Sequence, residues 1–320
     1  MNKISIPLSV PRSKAEEFRK NYLALTNKHD RLFLIAGDQK VEHLNADFFG
    51  PGIDPEDAEP EHLFKIAQAA PGSALAVPLG LISQYGRDYP EVNYIVKING
   101  KTNLGDNEAK DSHRLFWTVE DVIKLKKQSG LKIAAIGYTV YLGGKYESQM
   151  LSEVAQAIWS AHQNGLLAVI WMYPRGKGVK EEDVHTIAGG AGVASSLDAD
   201  FVKIKYPTDA KNADKAATSF QEAVKAAGRT KVVCVGGNRR PVKDIISELS
   251  KQIKISGTSG IAMGRNLHQR SLKDATRLAA AISAVLWNNA SAAAAIKIYN
   301  SKEKTITKKS KKSSRFLGIF

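Results

Sequence analysis

Short apolar runs alternate along this chain with longer stretches of helical period. Eight runs rich in β-branched or apolar residues, each closed by turn residues, predict strands at 32–38 (LFLIAGD), 74–80 (ALAVPLG), 94–100 (YIVKING), 132–140 (KIAAIGYTV), 166–174 (LLAVIWMYP), 199–207 (ADFVKIKYP), 231–237 (KVVCVGG) and 260–266 (GIAMGRN). Between them, helices are expected within 59–70, 118–130, 146–165, 180–197, 212–228 and 241–253, with a last one beginning near Leu272. Thr118, followed by Glu120, and Pro241 mark helix starts, and Gly130, Gly165 and Gly228 stand where helices should stop. The strands are almost continuously apolar, as in a parallel sheet covered on both faces.

Eight βα units in about 250 residues fit a (β/α)8 TIM barrel, an α/β fold. A doubly wound open sheet is the alternative and usually has fewer strands. The expected organisation is an N-terminal extension over 1–30, the barrel over 31–297 and a flexible basic tail over 298–320. The Ala-rich stretch from Leu278 to Ile296 is interrupted by Asn288, Asn289 and two serines, so it reads as a buried terminal helix rather than a membrane span.

Composition adds limits. With 43% hydrophobic and 24% charged residues in 320, the chain has ample core material. A single cysteine, Cys234, excludes an intramolecular disulfide and any multi-cysteine zinc site, and suits a reducing compartment. The N-terminus lacks a secretory pattern, so a cytoplasmic location is expected. The net charge of +14 favours anionic partners such as phosphorylated metabolites. The last twenty residues carry +6 of it, which leaves +8 on the preceding 300.

In a barrel the chemistry lies at the C-terminal strand ends. Here those ends carry Asp38; Lys97 and Asn99; Tyr138; Tyr173 and Arg175; Lys203 and Lys205; Gly236 and Gly237; and Gly264, Arg265 and Asn266. In Phe201–Tyr206 side chains alternate, so Lys203 and Lys205 share a face. A lysine there is either a neutral amine nucleophile, its pKa lowered by burial and by a second cation two residues away, or one of a pair in which one is neutralised by a carboxylate and the other reaches outward. The pattern alone does not choose between the two lysines. Glycines and Arg265 after strands seven and eight resemble the usual phosphate site of such barrels, although glycines at these turns also occur for conformational reasons. Of seven histidines only His43 and His268 lie near a top loop, and no metal-ligand spacing occurs, so no metal is expected. GGKYE at 143–147 lacks P-loop spacing and reads as a βα loop whose lysine can meet an anion. Cys234 reads as a packed side chain, and Trp117, Trp159, Trp171 and Trp287 as core or interface.

Taken in order, GDQKVEH, VKINGKT, GYTVY, WMYPRG, FVKIKYP, GG and GIAMGRN resemble the archaeal-type class I fructose-bisphosphate aldolases (DhnA/FbaB group, DeoC/LacD-like superfamily), from about Arg31 to Leu286. The resemblance implies a metal-independent Schiff-base barrel that reversibly cleaves fructose 1,6-bisphosphate to dihydroxyacetone phosphate and glyceraldehyde 3-phosphate. It implies Lys203 as the imine lysine, Tyr173 as acid/base and Asp38 as the strand-one aspartate, with Gly236, Gly237, Gly264 and Arg265 at a phosphate; the neighbouring cations Lys205 and Arg175 are expected to bind substrate or phosphate with them. The structural alternatives are a core tyrosine at 173 and a helix or turn cap at 38. The family's strand-one pattern is closer to DHGxEHG, from which Gln39, Lys40 and Leu44 depart, and Leu142 replaces a proline. A related Schiff-base enzyme acting on another phosphosugar, such as an aminodideoxyheptulosonate synthase, is the alternative, with a non-catalytic anion-binding barrel behind it. Expected partners are a small phosphorylated sugar and other copies of the chain, with neither membrane nor nucleic acid. The apolar end of the tail, Phe316–Phe320, is expected to dock on a neighbouring subunit or over the barrel mouth.

Overall fold

A computed structural model describes residues 4–104, 114–207 and 212–301. All eight expected strands form: β1 (Leu32–Ala36), β2 (Ala74–Pro78), β3 (Asn93–Lys97), β4 (Ile133–Leu142), β5 (Leu167–Pro174), β6 (Phe201–Ile204), β7 (Lys231–Val235) and β8 (Gly260–Met263). Each pairs in parallel with its sequence neighbours, and β1 closes the ring on β8 through Leu32–Ile35 and Gly260–Met263. The fold is the (β/α)8 barrel. Several strands stop short of the apolar run, and Asp38, Lys205, Gly236, Gly237 and Gly264 lie just past the last ladder residues, on the loops at the C-terminal rim.

Alternation sorts the strand residues into two cores. Tyr94, Val96, Ile136, Ile170 and Val202 face the helices, whereas Leu34, Ala76, Ile95, Ala135, Val169, Phe201, Val233 and Ala262 fill the barrel. Phe18, Tyr22 and Leu25 of helix Ala15–Leu25 join the inner core, with Tyr22 stacked on Phe201 at 5.8 Å. The segment read as an extension is therefore the barrel's floor, which leaves the C-terminal end as the open one.

Helices cover the strands as the pattern predicts, with three refinements. Thr118 caps Val119–Ser129 through a capping box, but its partner is Asp121 rather than Glu120. The 212–228 stretch splits into Ala213–Ser219 and Gln221–Ala227. The Ala-rich stretch is two helices, not one: Leu272–Asn288 ends at Asn289, which adopts a left-handed conformation, and Ser291 caps Ala292–Asn300. Asn300 thus ends a helix where the tail was expected to have begun. The rest of the tail, with its Phe316–Phe320 end, lies outside the described residues. Among the described residues no helix is long and apolar enough to cross a membrane.

Candidate active site

A cavity of about 510 Å³ opens at the C-terminal end of the barrel. Asp38, Tyr173, Arg175, Lys203, Lys205, Gly236, Gly237, Gly264 and Arg265 all line it, so the residues given a catalytic or binding role by the family resemblance converge on one place. Their inward direction follows from β5 and β6 alternation, in which Val169, Trp171 and Tyr173, and Phe201 and Lys203, stand on the barrel side.

The lysines differ in their partners. Lys205 Nζ is 2.6 Å from Glu181. Lys97 Nζ, fully buried, lies 3.2 Å from Glu42, 3.5 Å from Asp38 and 3.1 Å from the carbonyl of Asn99. Lys203, also buried, makes no ion pair among the described residues; its Nζ sits 4.8 Å from the centre of the Trp171 ring. Burial pushes the Lys203 amine below its ordinary pKa; Asp38 and Glu42 oppose the shift, and Lys97 and Arg265 add to it. The second cation acting on Lys203 is therefore Lys97 across the barrel, not Lys205, whose charge Glu181 neutralises at the rim. The two strand-six lysines thus differ in setting: Lys205 is ion-paired at the rim, and Lys203 is buried beside Trp171.

Asp38 occupies the N-cap position of the short helix Gln39–Glu42, yet its side chain makes no capping bond and turns to Lys97. Burial disfavours its charge, but Lys203 and Lys97 outweigh this and hold its carboxyl below the ordinary value. Its Oδ1 has no hydrogen-bond partner among the described residues. Tyr173 is not a satisfied core tyrosine: its ring packs 6.2 Å from Tyr141, and its hydroxyl makes no hydrogen bond among the described residues. Burial, and then the charges of Asp38 and Glu42, raise its phenol pKa well above the usual value, so it holds its proton at neutral pH.

The glycine loops are organised by Asn266. Its buried amide donates to the carbonyls of Gly236 (2.8 Å), Asn238 (2.9 Å) and Gly237 (3.3 Å), drawing three oxygens onto one side chain. The Gly236 N–H is spent on the Ala262 carbonyl, so the amide this pair offers a ligand is that of Gly237, at φ +68°. Gly264 lies against the side-chain amide of Gln39, so a larger residue there would have to displace that flexible side chain. Arg265 Nε is 3.7 Å from Asp47, which also accepts from His43.

Some expectations fall elsewhere. Tyr138 faces the helices and bonds Glu153, and Asn99 ties β3 to β4 through Thr139. Lys145 of GGKYE lies over Tyr146 and does not line the cavity; Cys234 is packed, as expected. His268 is buried against Asp57. Trp171, read as core, lines the cavity with the amines of Lys97 and Lys203 over its ring; Lys97 was named at its strand end but given no role, and Glu42, which lines the cavity, was missed. The signal for both Lys97 and Trp171 was present: the alternation that turns Lys203 inward does the same for them.

The family pattern's departures are accommodated locally. Leu44, where the pattern has glycine, sits at φ +55°. Lys40, at the other glycine position, bonds the Ala58 carbonyl and lies 4.2 Å over the Phe48 ring.

Residues 32–270 match the DeoC/LacD family aldolases. The chain belongs to that family. It is 50% identical over 297 residues to the fructose-bisphosphate aldolase/6-deoxy-5-ketofructose 1-phosphate synthase of Methanocaldococcus jannaschii, covering 92% of this chain and 94% of that protein. It is 31% identical over 269 residues to the class 1 fructose-bisphosphate aldolase of Thermoproteus tenax, covering 84% and 94%. Among solved structures, the fructose-bisphosphate aldolase from Slackia heliotrinireducens superimposes with a TM-score of 0.89 at 44% identity over 94% of this chain and 95% of that one. An archaeal fructose-1,6-bisphosphate aldolase, captured with its catalytic lysine bound to a carbinolamine intermediate, matches at 0.72 and 30% identity over 84% and 99%. The family resemblance drawn from the motifs is therefore confirmed.

Proposed function

We propose that this protein is a class I fructose-bisphosphate aldolase in which Lys203 forms the imine, Tyr173 moves the protons and Asp38 orients the reacting groups. The observation that carries the reading is a contrast among three lysines: Lys97, buried beneath the cavity, and Lys205, at its rim, are held by carboxylates, while Lys203 is buried, makes no ion pair among the described residues and is shifted toward its neutral, nucleophilic form.

The proton balance closes with these groups. Neutral Lys203 adds to the C2 carbonyl of the ketose and its surplus proton moves to oxygen, giving a carbinolamine. Tyr173, protonated in the free cavity, donates to the departing hydroxyl; water leaves, and a protonated imine and a phenolate remain. The new positive charge stabilises that phenolate, which offsets the burial that held the phenol neutral. The phenolate takes the C4 hydroxyl proton, the C3–C4 bond breaks, and its electron pair enters the imine to give an enamine and glyceraldehyde 3-phosphate. Tyr173 returns the proton to C3, and hydrolysis frees dihydroxyacetone phosphate and Lys203.

A bisphosphate needs anion sites at both ends, and the rim offers two groups of residues suited to bind an anion. Gly237, Gly264 and Arg265 follow β7 and β8; Lys101, Arg175 and Lys205 follow β3, β5 and β6. Holding one phosphate on the first group fixes C2 over Lys203, and the second group receives the other. The M. jannaschii relative's name includes a synthase whose product is a 6-deoxy 1-phosphate, so a second reading is transfer of the dihydroxyacetone phosphate unit to an aldehyde lacking that second phosphate. The enamine serves both reactions. The test is aldehyde release from fructose 1,6-bisphosphate in the presence of EDTA: undiminished cleavage is expected, and loss of activity that divalent metal restores would overturn the metal-independent mechanism.

A further inference from the structure

Behind the second cation group stands a carboxylate. Glu181 does not line the cavity, yet it bridges two residues that do: Oε2 lies 2.6 Å from Lys205 Nζ and Oε1 lies 3.4 Å from Arg175 Nε. It is carried by the loop between β5 and the helix Val184–Ser196, whose first turn is capped by Asp183, so the residue sits close to a fixed point. All three side chains are about one-third exposed, so their contacts exchange readily with a ligand entering from the rim. Arg175 is also supported from another side, its guanidinium lying 4.6 Å over the Tyr141 ring, so it keeps its place when Glu181 lets go.

The consequence is electrostatic. A phosphate arriving on the cavity side meets, beside Lys101, two cations whose combined charge is already halved, and it competes with Glu181 for the donors of Arg175 and Lys205. A sugar or aldehyde with nothing charged at that end meets no such competition. The Arg265 group differs, because the carboxylate paired with it, Asp47, stands 3.7 Å from Nε and is also engaged by His43.

We infer that Glu181 sets how strongly the enzyme distinguishes substrates with a second phosphate from those without one, by competing for Arg175 and Lys205. It touches no reacting atom; it is a positioning residue that acts through those two cations, and the inference rests on the reading above that they receive the second phosphate. Weakening that subsite keeps monophosphorylated ketoses and uncharged aldehydes within the enzyme's range.

The test compares kcat/KM for fructose 1,6-bisphosphate and fructose 1-phosphate in the wild type, Glu181→Gln and Lys205→Met. Glutamine preserves shape and an acceptor oxygen while removing the charge. The ratio of bisphosphate to monophosphate kcat/KM should rise at least about threefold in Glu181→Gln, through a lower KM for the bisphosphate, and the rise should shrink at high ionic strength. An unchanged or lower ratio overturns the inference, a lower one meaning that the carboxylate clamps the cations in place for the phosphate. Lys205→Met separates the two failures. If it lowers the ratio while Glu181→Gln does not raise it, the phosphate reading stands and the role of Glu181 falls; if neither variant moves the ratio, both fall. Borohydride trapping of fructose 1-phosphate on each variant confirms an intact imine site.

Discussion

Replacing Lys97 by methionine isolates the electrostatic part of the account. Lys97 and Lys203 flank Trp171, with Nζ atoms 5.3 and 4.8 Å from the ring centre. The two charges are therefore at most about 10 Å apart, where they repel by about 1.7 kcal/mol at an effective dielectric constant of about 20. That is about one pKa unit on Lys203. The substitution also frees Asp38 and Glu42 from Lys97, and both carboxylates already favour the charged amine, so the two effects share a sign. Raising the Lys203 pKa reduces the neutral fraction that attacks the carbonyl. The acid limb of the kcat/KM–pH profile should move up by about one unit. Activity should be about tenfold lower on the acid side and recover at alkaline pH. A thermal melt separates any loss of stability from this. A uniform fall at every pH with the limb unmoved, or a limb shifted to lower pH, would refute the reasoning.

Two other substitutions test the supporting structure. Asn266→Ala strands three carbonyls of the glycine loop and should cost about 1–3 kcal/mol of stability. It should also raise the KM for fructose 1,6-bisphosphate about tenfold with a smaller change in kcat; a lower melting temperature with an unchanged KM would detach that loop from phosphate binding. Phe18→Ala removes a buried ring from the floor of the barrel and should cost about 3–5 kcal/mol. Well below the melting temperature, kcat/KM should stay near the wild-type value, and a selective loss of activity in a fully stable variant would contradict a purely structural floor.

The barrel was legible because its two signals are local: apolar runs mark strands, and helical period marks what lies between. The same locality explains the misreadings. Asn288 and Asn289 were visible as interruptions in the Ala-rich stretch, but the left-handed turn at Asn289 that splits it depends on the serine-capped start of the next helix, so it reads from the pair rather than from either residue. Lys203 and Lys205 look alike in sequence, because what separates them is a carboxylate 24 positions from Lys205 that only the loop after β5 brings near. Lys97 and Trp171 were within reach: β3 and β5 obey the alternation used for β6, and applying it to all strands places both residues inside the barrel. Asn266 was visible as a strand-end residue, but its grip on three carbonyls is a property of the folded loop alone.

The central claim is that Lys203, and not the lysine two positions on, carries the covalent chemistry. Borohydride reduction of the wild-type protein with fructose 1,6-bisphosphate, followed by peptide mass mapping, tests it most directly. The account predicts a reduced sugar-phosphate adduct on Lys203 and its disappearance in Lys203→Met, with trapping retained in Lys205→Met. An adduct on Lys205, or trapping that survives the loss of Lys203, would contradict it.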